Sequence, residues 1–228
     1  MTPSRKPISR PAKHRIFLVD DHPVTRTGLA RLVNCEPDFE VCGEAGTAAR
    51  ALAAIEAERP DLVVIDVSLT TGASGLELIK DLAARHTGLR MLALSTHDET
   101  LYAERALRAG ARGYVMKQEP TEHVIQALRK VLQGEIYLSQ AMNERMLRKM
   151  TGTPAAPLAS EVEQLSDREL EVYRLLGQGR GTRQIAQDLH LSVSTVETYR
   201  THIKEKLHLG SAPELVRRAV EWVHSQAS

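Results

Sequence analysis

The feature that most constrains this chain is a fivefold alternation between residues 13 and 133. Short apolar runs are each followed by a stretch with helical spacing. RIFLV (15–19) precedes Thr25–Val33, FEVCGEA (39–45) precedes Thr47–Glu58, and DLVVID (61–66) precedes Leu76–Arg85. RMLALS (90–95) precedes Leu101–Ala109, and GYVMK (113–117) precedes Glu122–Leu132. The runs are nearly continuous in apolar residues, as in strands covered on both faces. Parallel strands need a crossover of roughly a dozen or more residues, and a helix supplies it. Five such units predict an α/β domain: a five-stranded parallel sheet with helices on both faces.

Open parallel sheets bind ligands outside the carboxyl ends of their strands, where the strand order reverses. The first run ends in Asp20 and Asp21, the third in Asp66, the fourth in Ser95 and the fifth in Lys117. A lone Asp after a strand is ordinarily a cap or turn residue, and a lone Ser or Lys there is ordinarily solvated. Three carboxylates, a hydroxyl and an ammonium on one rim do not fit that pattern. Crowded like charges are costly unless a cation sits among them. Clustered carboxylates and water oxygens suit Mg²⁺, which is the expected cofactor. An aspartate can act as a nucleophile and take up a phosphoryl group. That transfer needs mainly positioning and charge neutralisation. Lys117 and the cation would neutralise phosphoryl oxygens, and the Ser95 hydroxyl would donate to one of them.

Together VDDHP, VVIDVSL, LALSTHDE and GYVMK resemble the receiver domain of bacterial two-component response regulators, over residues 13–133. The resemblance implies a flavodoxin-like strand order, 2-1-3-4-5. It implies that Asp66 accepts a phosphoryl group from a sensor histidine kinase. It implies Asp20, Asp21 and Asp66 around Mg²⁺, with the backbone carbonyl of Ser68 as a further ligand. Ser95 and Tyr114 become a switch pair, Ser95 moving toward the phosphate and Tyr114 rotating inward; spacing alone reads Tyr114 as a packed core aromatic. One segment, DVSLTTGASG, departs from the pattern. Thr70 stands where the family commonly has Pro, and Gly75 lies nine residues after Asp66, so the loop is expected to be one residue longer.

Residues 134–160 read as a linker, in which GEIYLS (134–139) resembles the segment leaving receivers of one subfamily. A short helix over Ser139–Met150 would carry Met142, Met146 and Met150 as a packing stripe, and TGTPAAPLAS is flexible by composition. Residues 161–228 form the second expected domain, helix after helix. In LSDRELEV, Ser166 caps, Glu169 returns the bond, and Leu165 staples to Leu170. Segments Thr182–Leu189 and Ser194–His208 are separated by HLSVS, with Ser192 or Ser194 as cap, and Pro213–His224 closes the domain. So tight a turn reads as helix-turn-helix. Val196, Ile203 and Leu207 share an apolar face; Glu197, Thr198, Thr201 and Lys204 face away, with Arg200 on the flank. A solvated face would look the same. Charge discriminates only locally: residues 161–228 carry nine Lys/Arg against ten Asp/Glu, whereas 173–208 carry six against three. A DNA-binding face would be a local patch.

LSDRELEVYRLLGQGRGTRQIAQDLHLSVSTVETYRTHIKEKL resembles the LuxR-type helix-turn-helix. Joined to a receiver, it identifies the chain as similar to the NarL/FixJ family of response regulators. The resemblance implies DNA contacts from Arg183, Ser194, Thr195, Glu197, Thr198, Arg200, Thr201 and Lys204. Glu197 stands where Lys is common and Tyr199 where His is common. An acid at a base-reading position shifts the expected operator, because Glu can accept from cytosine N4. The final helix resembles the family's dimer helix, through Val216, Val220 and Val223; packing within the monomer accounts for these valines equally.

The 228 residues suffice for two domains, and a net charge of +1 favours no class of partner. Cys35 and Cys42 form no CxxC pair and read as reduced thiols. No apolar stretch approaches the ~18 residues of a membrane span. The basic, Pro-rich MTPSRKPISRPAKHR lacks the apolar core of a signal peptide and reads as a disordered leader. The expectation is a cytoplasmic transcriptional regulator switched by phosphorylation. Its partners would be DNA, a sensor histidine kinase and, when phosphorylated, a second copy of itself. It would promote its own phosphoryl transfer without being a turnover enzyme. A haloacid dehalogenase-type phosphatase would need DxDx[TV] where this chain has VDDHP. A module indifferent to phosphate would usually lack one of Asp20, Asp21, Asp66, Ser95 and Lys117.

Overall fold

The computed structural model describes residues 13–69, 73–96, 99–151 and 161–226, without the side chains of Met150 and Gln226. Residues 1–12 of the leader, Thr70, the side chain of Met150 and all but the first residue of TGTPAAPLAS lie outside the described residues. The first domain alternates as expected: β1 (His14–Val19), α1 (Pro23–Cys35), β2 (Phe39–Ala45), α2 (Ala48–Glu58), β3 (Leu62–Asp66), α3 (Gly75–Arg85), β4 (Arg90–Ser95), α4 (Glu99–Ala109), β5 (Gly113–Met116) and α5 (Thr121–Leu132). The strands are all parallel, in the order β2-β1-β3-β4-β5.

Side chains alternate across the sheet and build two cores. Phe17, Val19, Val63, Ile65, Ala93 and Tyr114 pack toward α2, α3 and α4. Ile16, Leu18, Leu62, Val64, Leu92, Leu94 and Val115 pack toward α1 and α5. Each such Leu or Ile contributes about 1.5–3 kcal/mol by leaving water. The β1–β2 register slips between Ile16 and Phe17, which pair with Val41 and Gly43. A Cβ at Gly43 would lie 2.5 Å from the Phe17 ring, so the glycine makes room for that core aromatic.

The helix α6 (Gln140–Met150) follows, with the Ser139 side chain accepting from the Met142 amide as N-cap. Met142 is buried, and Met146 packs half-buried on the same core. The second domain holds α7 (Asp167–Gly177), α8 (Thr182–Asp188), α9 (Val193–Lys206) and α10 (Ala212–Gln226). Ser166 and Glu169 form the expected capping box of α7. Leu170, Ile185, Val196, Ile203, Leu215 and Trp222 fill the core of this domain. Gly177 lets α7 cross α10 closely, since a Cβ there would lie 2.3 Å from the Ala219 carbonyl oxygen.

The amino end of α7 docks on α3 and α4. Asp167 bridges Lys80 Nζ at 2.7 Å and Arg105 at 3.0 Å. Arg105 also donates to the carbonyls of Leu165 at 2.7 Å and Val162 at 3.2 Å. Arg168 pairs with Glu77 at 3.1 Å. Lys149 of α6 bridges Glu104 and Glu163, each at 2.7 Å. Tyr102 of α4 is buried, and burial pushes its phenol up to about 12 despite nearby Arg174.

Candidate phosphoacceptor pocket and nucleic-acid face

The strand order reverses between β1 and β3, which places the crevice at their carboxyl ends. Val19 pairs with Ile65, so Asp20 and Asp66 emerge side by side. Both are buried, 2 % and 1 % exposed. In this structure the cation between them is a side chain: Lys117 Nζ donates to Asp20 Oδ2 and Asp66 Oδ2, each at 2.7 Å. The sequence places Lys117 only on the rim. Its position is fixed by its own amide, which donates to the Ser95 carbonyl at 2.7 Å. Burial pushes the Asp66 carboxyl up, and Lys117 only partly offsets this. Burial opposes the Lys117 charge, but the bonds to Asp20 and Asp66 outweigh it and raise its pKa.

The Ser68 amide turns back and donates to Asp66 Oδ1 at 2.9 Å. Asp21 is the outer acid, and His22 Nδ1 lies 2.8 Å from its Oδ1. Ser95 and Tyr114 are both buried, at 0 % and 1 % exposed, so the tyrosine already has the inward position. Gly75 opens α3 directly beneath the acceptor. A Cβ there would lie 2.0 Å from the Asp66 carbonyl oxygen and 2.7 Å from Val67 Cα. Ser74 and Glu77 form a reciprocal capping box that anchors this turn. One ligand atom from each of Asp20, Asp21, His22 and Asp66 falls within 4.8 Å of the others. The three carboxylates are hard oxygen donors of the kind Mg²⁺ prefers, so the pocket fits that ion.

In the second domain Ser192, the N-cap of α9, accepts from the Thr195 amide at 3.0 Å. The helix thus begins one residue before the expected Ser194, and Val193 in its first turn is exposed. Ser194, Glu197, Thr198 and Thr201 are exposed, and Lys204 is half-exposed. Thr198 and Thr201 hydroxyls donate back to the carbonyls of Ser194 and Glu197, at 3.0 and 3.1 Å. Thr195 Oγ1 lies 2.7 Å from Ser192 Oγ. Arg200 is turned inward: it donates to Thr182 Oγ1 and to Glu197 Oε1 and is 19 % exposed at its side chain. Arg183 and Lys204 carry no ion pair among the described residues. Arg183 lines an open groove of about 590 Å³ with Gln187, His190, Leu191 and Val193. Tyr199 packs half-buried on the core.

Comparison with known proteins matches both halves. Residues 16–129 match the response regulator receiver domain, and residues 163–219 match the bacterial regulatory proteins of the luxR family. The oxygen regulatory protein NreC of Staphylococcus carnosus is 35 % identical over 210 residues, 91 % of this chain and 97 % of that protein. The crystal structure of ChrA, a response regulator in a heme-sensing two-component system, is 30 % identical with a TM-score of 0.50, covering 92 % of this chain and 98 % of that one. RcsB of Salmonella enterica serovar Typhimurium, bound to promoter rprA, shares the fold at 21 % identity and a TM-score of 0.62, covering 92 % and 99 %. With the acid pocket on the first domain and the helix-turn-helix on the second, this chain belongs to the NarL/FixJ family of two-component response regulators.

Proposed function

We propose that phosphorylation of Asp66 switches the DNA binding of the α9 face, and that the chain works as a cytoplasmic transcription regulator. The observation that carries this is the Asp66 carboxylate, buried in the crevice with Lys117 Nζ 2.7 Å from its Oδ2. An Asp66 oxygen attacks the phosphorus of a kinase phosphohistidine; the P–O bond forms, the P–N bond breaks, and the imidazole leaves with the electron pair. Asp20, Asp21 and Asp66, with the Ser68 carbonyl, would hold Mg²⁺, which screens charge on the phosphoryl oxygens when bound. Lys117 would follow its Asp66 contact onto a phosphoryl oxygen, and Ser95 would donate to another. The group is transferred once and held, so the protein is a switch and not a turnover enzyme.

Coupling to the second domain would run through α4. α4 begins at Glu99, four residues after Ser95, and Glu99 accepts from Ser139 at 2.6 Å. The same helix holds Glu104 and Arg105, which contact Lys149 and Asp167. A shift of Ser95 toward a phosphoryl group would therefore strain the contacts of α4 with α6 and α7. Release would free the domains for pairing as a homodimer, with Val216 and Val220 of α10 as its contacts; Val216 is exposed, whereas Val223 packs half-buried on the core of its own domain. Among the described residues no helix is long and apolar enough to cross a membrane. Incubation with acetyl phosphate and Mg²⁺, followed by intact-mass analysis, tests the reading. One added phosphoryl group, absent in Asp66→Asn, is expected; equal labelling of that variant overturns it. Asp21→Ala should lose the labelling as well.

A further inference from the structure

The amino end of α9 carries an apolar side chain outside the polar face assigned to DNA. Val193 is the first residue of that helix and is 46 % exposed. A single exposed valine is ordinary on a protein surface; its position is what sets this one apart. Residues four apart stack on one helix face, so Val193 heads the row that continues through Glu197, Thr201 and Lys204. It also lines the open groove of about 590 Å³ beside the helix-turn-helix. There Arg183, Gln187 and His190 are exposed, and Val193 with half-buried Leu191 and buried Ala186 makes up the apolar part of the wall. The α9 face is less polar than its residues suggest. The Thr198 and Thr201 hydroxyls donate to carbonyls of their own helix, at 3.0 and 3.1 Å.

We propose that Val193 is a specificity-determining contact that packs on the 5-methyl group of a thymine in each half-site. The inference rests on the reading of α9 as the helix that enters the major groove. In that docking the amino-terminal residues of the helix meet base edges. The thymine methyl is the apolar group that the major groove presents to them. A valine side chain offers no hydrogen bond to a base or a phosphate, so apolar contact is what it contributes. Four residues advance a helix by about 6 Å, and successive base pairs rise by about 3.4 Å. The thymine therefore lies within about two base pairs of the one that Glu197 reads.

The test uses full-length phosphorylated protein and DNA selected by it, with thymines replaced one at a time by deoxyuridine. That exchange removes the methyl group and keeps the hydrogen-bonding edges. In the wild type, one exchange per half-site should weaken binding about fourfold, the effect of one methyl group left in water. Its position should fall within about two base pairs of the one at which Glu197→Ala relaxes preference. In Val193→Ser the same exchange should change affinity by less than about 1.5-fold, whereas Val193→Thr, which keeps one methyl, should retain part of the penalty. Val193 is exposed, so Val193→Ser should melt as the wild type does. Absence of a thymine within that reach, no penalty at any thymine, or an equal penalty in Val193→Ser overturns the inference. DNA binding unchanged in Val193→Ser with loss of transcription assigns the groove to a protein partner and overturns it too. In each of these cases an effect of Glu197→Ala and Lys204→Ala on the same DNA leaves α9 in the major groove; no effect of either overturns that reading as well.

Discussion

Arg105 of the receiver and Asp167 of the DNA-binding domain meet at 3.0 Å, with both side chains largely out of water. Asp167 is also the first residue of α7, and Lys80 reaches it from a second receiver helix. Burial alone would raise the Asp167 pKa, but its bonds to Lys80 and Arg105 outweigh that and hold it below the usual range. The contribution of this clasp is present above about pH 3.9 and is lost as pH falls through the lowered value.

Removing one partner of a buried pair costs about 3–5 kcal/mol where the other charge is left stranded; here Lys80 remains, so a smaller loss is expected. Arg105→Ala should expand the unphosphorylated protein in small-angle X-ray scattering and raise its DNA affinity. An unchanged radius of gyration together with unchanged affinity would show that the clasp does not restrain the domains.

The sequence shows the strands and the pocket because their signals are local. A continuous apolar run such as Leu62–Ile65, held between Asp61 and Asp66, is too short for a helix and fits a strand covered on both faces. The residue that ends it must then lie at the sheet rim. The clasp leaves no such trace. Arg105 and Asp167 sit on helix faces where charge is ordinarily solvated, and only the packing of two domains brings them together. Arg200 is a similar case: its place on the flank of α9 is compatible with a DNA contact, yet it is drawn inward by Thr182 and Glu197. The role of Lys117 as the cation between Asp20 and Asp66 depends on distances that spacing does not supply.

The burial of Asp66 has a measurable sign. Its pKa is raised in the fold, above the unfolded value of about 3.9. The folded state therefore holds this proton more tightly, and the associated stability is lost as pH rises through the folded pKa. Asp66→Asn, uncharged throughout, should melt higher than the wild type at pH 7, by a margin that shrinks toward pH 4. Thermal denaturation at the two pH values checks this; equal margins would contradict it.

Gly75 is placed so that no side chain fits. Gly75→Ala forces the amino end of α3 away from the Asp66 backbone, and overpacking of this kind typically costs about 1–3 kcal/mol. A lower melting temperature and slower labelling by acetyl phosphate are expected. Wild-type labelling with wild-type stability would mean that the turn yields without moving the acceptor.

The α9 face should divide its work between phosphates and bases. Lys204→Ala should weaken binding on every sequence and flatten the salt dependence by about one phosphate contact. Glu197→Ala should relax preference at one base pair, by roughly 1–3 kcal/mol. Fluorescence anisotropy on selected and scrambled DNA at two salt concentrations separates these effects. If neither substitution changes binding, another surface meets the DNA.

The most direct test of the whole account is the DNA affinity of full-length protein with and without acetyl phosphate and Mg²⁺, on DNA selected by the phosphorylated form, for wild type and Asp66→Asn. Coupling of typical strength, about 1–3 kcal/mol, predicts a gain of roughly 5- to 150-fold for the wild type and no gain for Asp66→Asn. A wild type that gains nothing, or an Asp66→Asn variant that gains as much, would contradict the account.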